Sequence, residues 1–267
     1  MLISELIGGL GNQLFQYAAG LQLSRNFGMM HYVGLQKIEN YPTWTFKLGP
    51  ILNPNIIYDY SYKNVFDEKQ FKYDEIFIES VSCNVLRGYF QSHLYSNMVI
   101  NDIRRTINER IDFFPEIFPI LNLLADNESL FFHVRRGDYM QKNNLDYHGV
   151  VDVERIIIAV EEICNLKNIK IIIGFGDDLK IVDDIIDRIG SKCNLIVNAS
   201  KMKLSDLSEL IIMSCCGNAI IANSSFSWWG AYLSDKCTMG IVRYPDKWFN
   251  DSTIDTVNMN PIQWRSY

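Results

Sequence analysis

Apolar and polar residues alternate most regularly in the second half of the chain. From about residue 129, short apolar runs take turns with segments whose apolar residues recur at helical spacing. The runs predict strands, and the periodic segments predict helices. Strands and helices in alternation form βαβ units, so this half predicts a parallel sheet with both faces covered. We expect strands at 129–135, 169–174, 194–197 and 218–222, and helices at about 151–165, 178–189, 204–216 and 225–233.

The N-terminus begins with a similar order of elements. Leu2–Ile7 predicts a buried strand, Gly8–Gln13 a glycine-rich turn, and Leu14–Phe27 a helix closed by Gly28. This order is the context of a dinucleotide-binding fingerprint. However, a leucine occupies the position of the third glycine, and no acidic residue follows about twenty residues later. The sequence therefore disfavours a nicotinamide or flavin enzyme.

The same turn allows two interpretations. It can present backbone N–H groups and the side chains of Asn12 and Gln13 to a ligand at the start of the helix. It can equally be a tight connection between a strand and a helix. The turn alone does not decide between a binding site and a structural connection.

Two stretches lack a clear period. Gln141–Gly149 is polar and predicts irregular structure. Residues 34–80 contain ten aromatic side chains among three prolines and predict loops and short helices. Exposed aromatic rings can stack on sugars, although most aromatic side chains belong to a core. After this stretch, Val85–Phe90 predicts a strand and Ser92–Asn108 a helical segment, and Glu109–Asn127 is expected to cross to a second domain.

Length, charge and cysteine usage limit the class of protein. A chain of 267 residues can form one large domain or two smaller ones. Its net charge of −6 argues against a nucleic-acid-binding surface. The sequence shows no apolar run of membrane-spanning length and no signal-peptide pattern, and its six cysteines include no Cys-x-x-Cys pair. We therefore expect a cytosolic protein with reduced thiols.

One predicted strand ends in two adjacent arginines. Within Leu130–Tyr139, three apolar residues precede His133, Arg135 and Arg136. Because strand side chains alternate, His133 and Arg135 share one face and Arg136 takes the other. Two arginines beside a core need an anionic partner. That partner is either a protein carboxylate, with Asp138 the nearest candidate, or a phosphate from outside.

Two further strand ends carry polar side chains. Gly174–Asp178 ends in paired acids, and Asn223–Gly230 places three serines at a helix start. Serines there can cap the helix or bind phosphate, and acids there favour the helix dipole whether or not they bind a ligand. Ligands of parallel sheets bind at the carboxyl ends of the strands. The three ends together predict a nucleotide site.

Several motifs resemble those of a known enzyme family. His133–Asp138 matches the His-x-Arg-Arg-x-Asp motif of the α-1,2- and α-1,6-fucosyltransferase superfamily. Gly8–Ala19 and Asn223–Ala231 are similar to the opening and closing signatures of bacterial α-1,2-fucosyltransferases, and Arg87–Ser92 resembles a further family segment. The order and spacing agree over most of the chain. In the segment that usually reads Phe-Ser-Asp-Asp, Gly176 replaces the serine and would remove any contact from its hydroxyl.

This resemblance implies an α/β protein with two facing Rossmann-like domains, the GT-B arrangement. We expect an N-terminal domain on the acceptor side at residues 1–126 and a donor-binding domain at 127–267. The implied reaction is inverting, metal-independent transfer of L-fucose from GDP-β-L-fucose to the 2-hydroxyl of a terminal β-galactoside, in surface polysaccharide or O-antigen synthesis. The sequence contains no Asp-x-Asp and no metal-ligand spacing, in agreement with metal independence. Alternatives are a transferase of another GDP-deoxyhexose and a non-catalytic nucleotide- or sugar-binding module.

Together, the resemblance and the residue chemistry assign roles. Arg135 would stabilise the charge on the departing GDP, and Arg136 would have a secondary or structural role. His133 or Asp138 would take the proton of the acceptor hydroxyl, unless Asp138 only orients the arginines. Asp177 or Asp178 would bind guanine or ribose. The expected donor-binding residues are Gly11, Asn12, Gln13, Arg135, Arg136, Asp177, Asp178, Asn223, Ser224, Ser225, Phe226 and Ser227.

The expected partners follow from the implied reaction. They are GDP-fucose and a galactose-terminated glycan, with no cofactor, no metal and no nucleic acid. The expected location is the cytoplasm. A lipid-linked acceptor would add loose association with the inner face of the membrane.

Overall fold

The computed structural model describes residues 1–61, 64–75, 84–125, 128–140, 142–190 and 192–267, without the side chains of residues 138 and 142–144. These residues form two units. Unit 1 comprises Met1–Phe113 and Thr253–Pro261, and unit 2 comprises Phe114–Ser252 and Ile262–Tyr267. The domain boundary predicted between residues 126 and 127 falls on residues that the structure does not describe. The helix before it, Phe118–Ala125, belongs to unit 2.

Unit 1 is built on a parallel sheet in the order β3-β2-β1-β5-β4. Its strands are β1 (Leu2–Glu5), β2 (His31–Gly34), β3 (Ile56–Ile57), β4 (Val65–Asp67) and β5 (Val85–Arg87). Its helices are α1 (Leu10–Asn26), α2 (Gln36–Glu39), α3 (Gly49–Leu52) and α4 (Ile100–Asn108).

The predicted opening of the chain is confirmed, with a shifted helix start. Helix α1 begins at Leu10, because the Gln13 N–H already donates to the carbonyl of Gly9. It ends just before Gly28, whose φ of +62° suits glycine. The 34–80 stretch contains the expected short helices, but it also contains β3 and β4. These strands are too short to produce a recognisable alternation in the sequence.

Unit 2 is built on a second parallel sheet in the order β11-β10-β9-β6-β7-β8. Its strands are β6 (Ser129–Val134), β7 (Ile171–Gly176), β8 (Leu195–Asn198), β9 (Asn218–Ile220), β10 (Val242–Tyr244) and β11 (Arg265–Ser266). Its helices are α5 (Phe118–Ala125), α6 (Lys142–His148), α7 (Val153–Leu166), α8 (Leu179–Ile189), α9 (Asp206–Cys215) and α10 (Ser225–Leu233).

The predicted βαβ alternation of unit 2 is confirmed. One correction concerns Gln141–Gly149, which was expected to be irregular but contains α6. This helix is mostly polar, so it carries no apolar stripe that the sequence could reveal. The strands β10 and β11 were not predicted, since they are only three and two residues long.

The core of unit 2 lies on both faces of β6. Every residue of this strand is buried. On one face, Leu130 and Phe132 pack with the apolar sides of α7 and α8. On the other face, the ring of Phe131 meets that of Phe175 edge to face at 6.1 Å. Burial on both faces explains why β6 reads as an uninterrupted apolar run.

The order of the strands marks a ligand-binding position in unit 2. The chain proceeds from β6 to β7 and β8 on one side, whereas β9, β10 and β11 extend on the other. The strand order therefore reverses between β6 and β9. Open parallel sheets bind ligands outside the carboxyl ends of the strands at such a reversal. Among the described helices, none has both the length and the apolar content needed to span a bilayer.

Candidate active site

The sheet order brings the three polar strand ends of unit 2 to one edge. Strand β6 lies between β9 and β7. Its register pairs His133 with Phe175 and Phe132 with Ile220. All three strands are parallel, so the segments that follow them leave the sheet on the same side. These segments hold the arginines, the paired acids and the serines that the sequence singled out.

Asp177 holds both arginine positions after β6. Its Oδ2 accepts from Arg135 Nη1 at 2.8 Å, and its Oδ1 accepts from the backbone N–H of Arg136 at 2.7 Å. The side chains of Arg135 and Asp177 are 34% and 26% exposed, so water only partly screens the pair. The Arg135 guanidinium also lies 5.2 Å from the ring centre of Tyr139. The carboxylate fixes the direction of the guanidinium.

This contact changes the expected role of Asp177. The sequence suggested Asp138 as the carboxylate nearest to the arginines and Asp177 as a contact to guanine or ribose. In the structure both Asp177 oxygens are engaged by the arginine segment, because the ends of β6 and β7 are adjacent. The side chain of Asp138 lies outside the described residues, while its backbone begins a 3-10 helix, Asp138–Met140.

Gly137 is required by the close approach of this carboxylate. A Cβ at residue 137 would lie 2.6 Å from Asp177 Oδ2. Even an alanine would push the carboxylate away from Arg135. The glycine of the Arg-Arg-Gly-Asp sequence therefore has a packing reason.

Asp178 has a different contact from its neighbour. Its Oδ1 accepts from the N–H groups of Lys180 and Ile181 at 3.2 and 3.3 Å, so it caps the start of α8. A nucleotide contact from Asp178 remains a prediction, and the cap accounts for the carboxylate without it.

His133 is buried at the end of β6. Its side chain is 5% exposed, and its Nδ1 has no hydrogen-bond partner among the described residues. The ring meets the ring of Phe226 edge to face at 5.8 Å. Burial lowers the pKa of His133 to about 3; the Arg135 charge adds to this effect and the Asp177 charge opposes it. The imidazole is therefore neutral, and this pKa makes it a weak proton acceptor.

The start of α10 forms the other side of the strand-order reversal. Ser224 precedes the helix in extended conformation, and its hydroxyl makes no capping hydrogen bond to a described residue. The Ser227 hydroxyl donates to the Ser224 carbonyl at 3.4 Å. The first-turn N–H groups of Ser225, Phe226 and Ser227 point out of the helix end, where positive potential favours an anion. Capping by the Ser224 side chain is thus not what the structure uses.

Asn223 connects this helix start to the rest of unit 2. The Asn223 Nδ2 donates to the backbone carbonyl of His148 at 2.8 Å, and the backbone carbonyl of Asn223 accepts from the Tyr139 hydroxyl at 3.2 Å. Its buried Oδ1 has no partner in the part of the chain that the structure describes. Tyr139 in turn stacks on His148, with centroids 4.4 Å apart and planes 6° apart. This stack was not predicted from the sequence, because α6 was not predicted.

The predicted donor contacts of unit 1 have contacts within their own unit. The Gln13 amide is buried, donates to the carbonyls of Gly8 and Thr45 at 3.0 and 2.8 Å, and accepts from the N–H of Lys47 at 3.0 Å. Gln13 therefore anchors the segment around residues 45–47. Asn12 accepts from Gln91 Nε2 at 2.9 Å, and Gly11 is buried in the first turn of α1.

Other reactive groups can be described briefly. Among the described residues, no cluster of three or more His, Cys, Asp or Glu side chains is placed to hold a metal ion. The described cysteines are free thiols; Cys83 lies outside the description.

Two solved structures illustrate the similarity in fold. One is the NodZ alpha-1,6-fucosyltransferase of Bradyrhizobium co-crystallized with GDP, with 13% identity, a TM-score of 0.52, and coverage of 87% of this chain and 92% of that chain. The other is POFUT1 in complex with GDP, with 11% identity, a TM-score of 0.52, and coverage of 91% and 97%. At these identities the likeness concerns the fold, and it confirms the predicted GT-B-type α/β class with two Rossmann-like parallel sheets.

Relatives in sequence extend over nearly the full length. The O-antigen biosynthesis glycosyltransferase WbnK of Escherichia coli is 27% identical, covering 97% of this chain and 98% of that protein. An alpha-1,2-colitosyltransferase of Escherichia coli is 26% identical, covering 99% and 98%. Residues 3–264 match the family described as Glycosyl transferase family 11. With the motifs at the sheet edge and this match over nearly every residue, the chain belongs to glycosyl transferase family 11.

Proposed function

We propose that this protein transfers L-fucose from GDP-β-L-fucose to the 2-hydroxyl of a terminal β-galactoside, with inversion at the anomeric carbon, during O-antigen synthesis. Family membership supports the reaction class. The name of WbnK supports the O-antigen context, and the name of the colitosyltransferase supports an α-1,2 linkage. The GDP in the NodZ and POFUT1 crystals supports the donor nucleotide.

The observation that carries the proposal is the set of groups around the strand-order reversal of unit 2. Arg135 is held in place by Asp177 at the end of β6, and the N-terminus of α10 follows β9. Between them, the buried His133 Nδ1 has no partner among the described residues. A guanidinium, a helix N-terminus and an unpaired imidazole nitrogen suit a diphosphate.

The chemistry follows from where charge develops. The bond between fucose C1 and the β-phosphate oxygen breaks, so negative charge grows on GDP while positive charge grows on the sugar. A fixed donor aimed at the leaving oxygen typically contributes about 10²–10³ in rate. Arg135 supplies that hydrogen-bond donor, because the Asp177 contact and the Tyr139 ring hold its guanidinium in place before GDP-fucose binds. Ser224–Ser227 hold the diphosphate from the helix end.

The proton of the acceptor hydroxyl needs a separate base. A pKa of about 3 makes His133 a weak acceptor of that proton. We therefore propose that His133 forms a hydrogen bond with GDP-fucose and that Asp138 is the candidate base. Asp138→Asn is expected to lower turnover while leaving GDP binding intact. An unchanged turnover would remove Asp138 from this role.

We also propose that transfer needs no divalent cation, because Arg135 and the helix N-terminus provide the positive charge. The test compares turnover in EDTA with turnover in Mg²⁺ or Mn²⁺. Equal rates are expected. Activity that vanishes on chelation and returns with Mn²⁺ would contradict this part of the proposal. If the acceptor is lipid-linked, the enzyme would act at the inner face of the membrane.

The donor and the linkage are tested together. Purified protein is incubated with GDP-fucose, GDP-colitose and GDP-mannose, each with a β-galactoside; GDP release is measured, and the product linkage is read by NMR. Preferential use of GDP-fucose with an α-1,2 product is expected. The colitosyltransferase and WbnK are about equally similar to this chain, at 26% and 27% identity. Preferential use of GDP-colitose would therefore change the proposed donor sugar but not the proposed type of reaction. GDP binding without turnover of any donor would support a non-catalytic module.

Arg135→Lys is the matched variant for this assay. Lysine keeps the positive charge but loses the two parallel hydrogen bonds of the guanidinium. We expect turnover to fall by about 10²–10³ with the fold intact. Near-normal kinetics would remove Arg135 from the mechanism.

A further inference from the structure

In unit 1, a segment at the carboxyl edge of the sheet is held in place by side-chain hydrogen bonds. Gly88–Gln91 follows β5, which pairs with β1 although the two strands are far apart in sequence. The segment is tied to the start of α1, since Gln16 Nε2 donates to the Gly88 carbonyl at 3.1 Å and Gln91 Nε2 donates to Asn12 Oδ1 at 2.9 Å.

Glu68 fixes the middle of this segment. Its Oε2 accepts from the backbone N–H groups of Tyr89 and Phe90 at 2.7 and 2.8 Å. Phe90 has a φ of +53°, a left-handed conformation that is costly for a bulky residue. A Cβ at Gly88, whose φ is +151°, would lie 2.4 Å from the Glu68 Cβ. The backbone here is held by the carboxylate and closely packed against it.

The strained conformation separates two aromatic side chains. Phe90 points inward and packs with Leu2 and Tyr95 in the core of unit 1. Tyr89 stays half-buried, and its ring lies parallel to that of Phe71 at 6.2 Å. Glu68 thus determines which of two consecutive rings is presented outward.

A second aromatic pair lies in a loop of the same unit. Tyr41 stacks on Trp44 with centroids 3.9 Å apart and planes 10° apart, and Tyr41 is half exposed. The loop is anchored by Gln13, which binds the carbonyl of Thr45. Flat aromatic faces beside polar groups suit the apolar face of a sugar ring.

The charges at this edge distinguish the ligand class. Glu5 and Asp67 lie at the ends of β1 and β4, and Glu68 follows directly. Arg87 contacts Glu5 at 3.0 Å and Asp67 at 3.4 Å, so two carboxylates share one guanidinium. Such an edge repels a diphosphate, whereas carboxylates accept hydrogen bonds from sugar hydroxyls. In addition, Glu68 Oε1 is buried without a partner among the described residues.

We propose that Tyr89 contacts a neutral sugar ring of the acceptor glycan and that Glu68 is a positioning residue, which holds Tyr89 in the presenting conformation. The ligand class is a β-galactoside without charge. This inference rests on the proposed function, since a glycan acceptor is what that function requires.

The test separates acceptor binding from donor binding. Tyr89→Ala is expected to raise the acceptor KM about tenfold, the effect of losing one ring contact, with the GDP-fucose KM unchanged. Tyr58→Ala removes an exposed tyrosine beside the opposite edge strand β3 and serves as the control, with both KM values unchanged. A donor KM that rises as much as the acceptor KM, or no change in either, would overturn the Tyr89 assignment.

Glu68 is tested by rescue. Glu68→Ala removes the acceptor of both N–H groups and is expected to raise the acceptor KM about tenfold at unchanged donor KM. Glu68→Gln keeps a carbonyl oxygen for the same N–H groups and should restore the wild-type value. Failure of glutamine to rescue, or an unchanged acceptor KM in Glu68→Ala, would overturn the positioning role. Thermal melting checks that each variant is folded.

Direct binding keeps this inference separate from the proposed function. Saturation-transfer NMR with lactose needs no donor and compares wild type with Tyr89→Ala. Lactose binding that is lost in Tyr89→Ala supports the subsite even if no GDP-sugar is turned over. If GDP-fucose is turned over and the variant binds lactose like wild type, the subsite is wrong and the proposed function stands.

Discussion

The contact between Asp177 and Arg135 gives a quantitative prediction. Asp177→Asn keeps an oxygen for the N–H of Arg136 but removes the charge that directs the Arg135 guanidinium. The pair is about one-third exposed, so its net contribution to stability is expected to be only about 1 kcal/mol. Without the carboxylate, Arg135 must be ordered when the donor binds. Ordering an arginine side chain costs up to about 2 kcal/mol. That cost corresponds to a fall of about 30-fold in kcat/KM for GDP-fucose.

A double-mutant cycle tests this reasoning. If Asp177 acts by orienting Arg135, Asp177→Asn should have little further effect in an Arg135→Lys background. The assay measures initial rates at subsaturating GDP-fucose and saturating acceptor, which gives kcat/KM for GDP-fucose, with thermal melting as the measure of stability. Asp246→Asn is the control, because it removes the exposed Arg155–Asp246 pair elsewhere in unit 2 and should leave kcat/KM unchanged. A full 30-fold loss that persists in the lysine background would refute the reasoning.

Three further variants probe close packing, capping and titration. Gly176→Ser should lower the free energy of unfolding by about 1–3 kcal/mol in denaturant titrations, because a Cβ there would lie 2.9 Å from the carbonyl oxygen of Val134. Asp178→Ala should cost about 1 kcal/mol through the lost α8 cap; a raised GDP-fucose KM would instead support the nucleotide contact. Burial raises the pKa of Glu68 to about 7, so the unfolded chain releases this proton at lower pH than the folded chain and stability falls as pH rises between about 4.5 and 7. Glu68→Gln should remove up to about 3 kcal/mol of that decline, measured by urea unfolding at pH 5 and pH 8.

The sequence predicted the parts of the fold whose patterns are long and repeated. The strand β6 and the helices α7, α8 and α10 appear close to their predicted bounds, because each buries a stripe or a full run of apolar residues. Short strands such as β10 and the polar helix α6 were not predicted. Their formation depends on neighbours that are distant in sequence, and the local pattern does not record those neighbours.

Contacts at the site were less predictable than its location. The carboxyl ends of parallel strands must share an edge, so the position of Arg135 near the other strand ends followed from the element order. The choice of Asp177 over Asp138 as its partner did not, because it depends on β7 being paired directly with β6. The replacement of serine by Gly176 also has a local cause, since Val134 and Val182 leave no room for a side chain.

The two sheets show why similar sequence signals need different interpretations. Each unit places a loop and a helix start at the carboxyl end of its first strand. From sequence alone, the turn of unit 1 allowed either a ligand site or a structural connection, whereas the strand ends of unit 2 predicted a nucleotide site. In unit 2 that edge carries Arg135 beside a helix N-terminus. In unit 1 the Gln13 amide donates its hydrogen bonds to backbone carbonyls of its own unit. Carboxylates and aromatic rings lie at the edge of this sheet. Because a diphosphate is strongly anionic and an acceptor β-galactoside is neutral, this difference in charge assigns the donor to unit 2 and the acceptor to unit 1 in the proposed reaction.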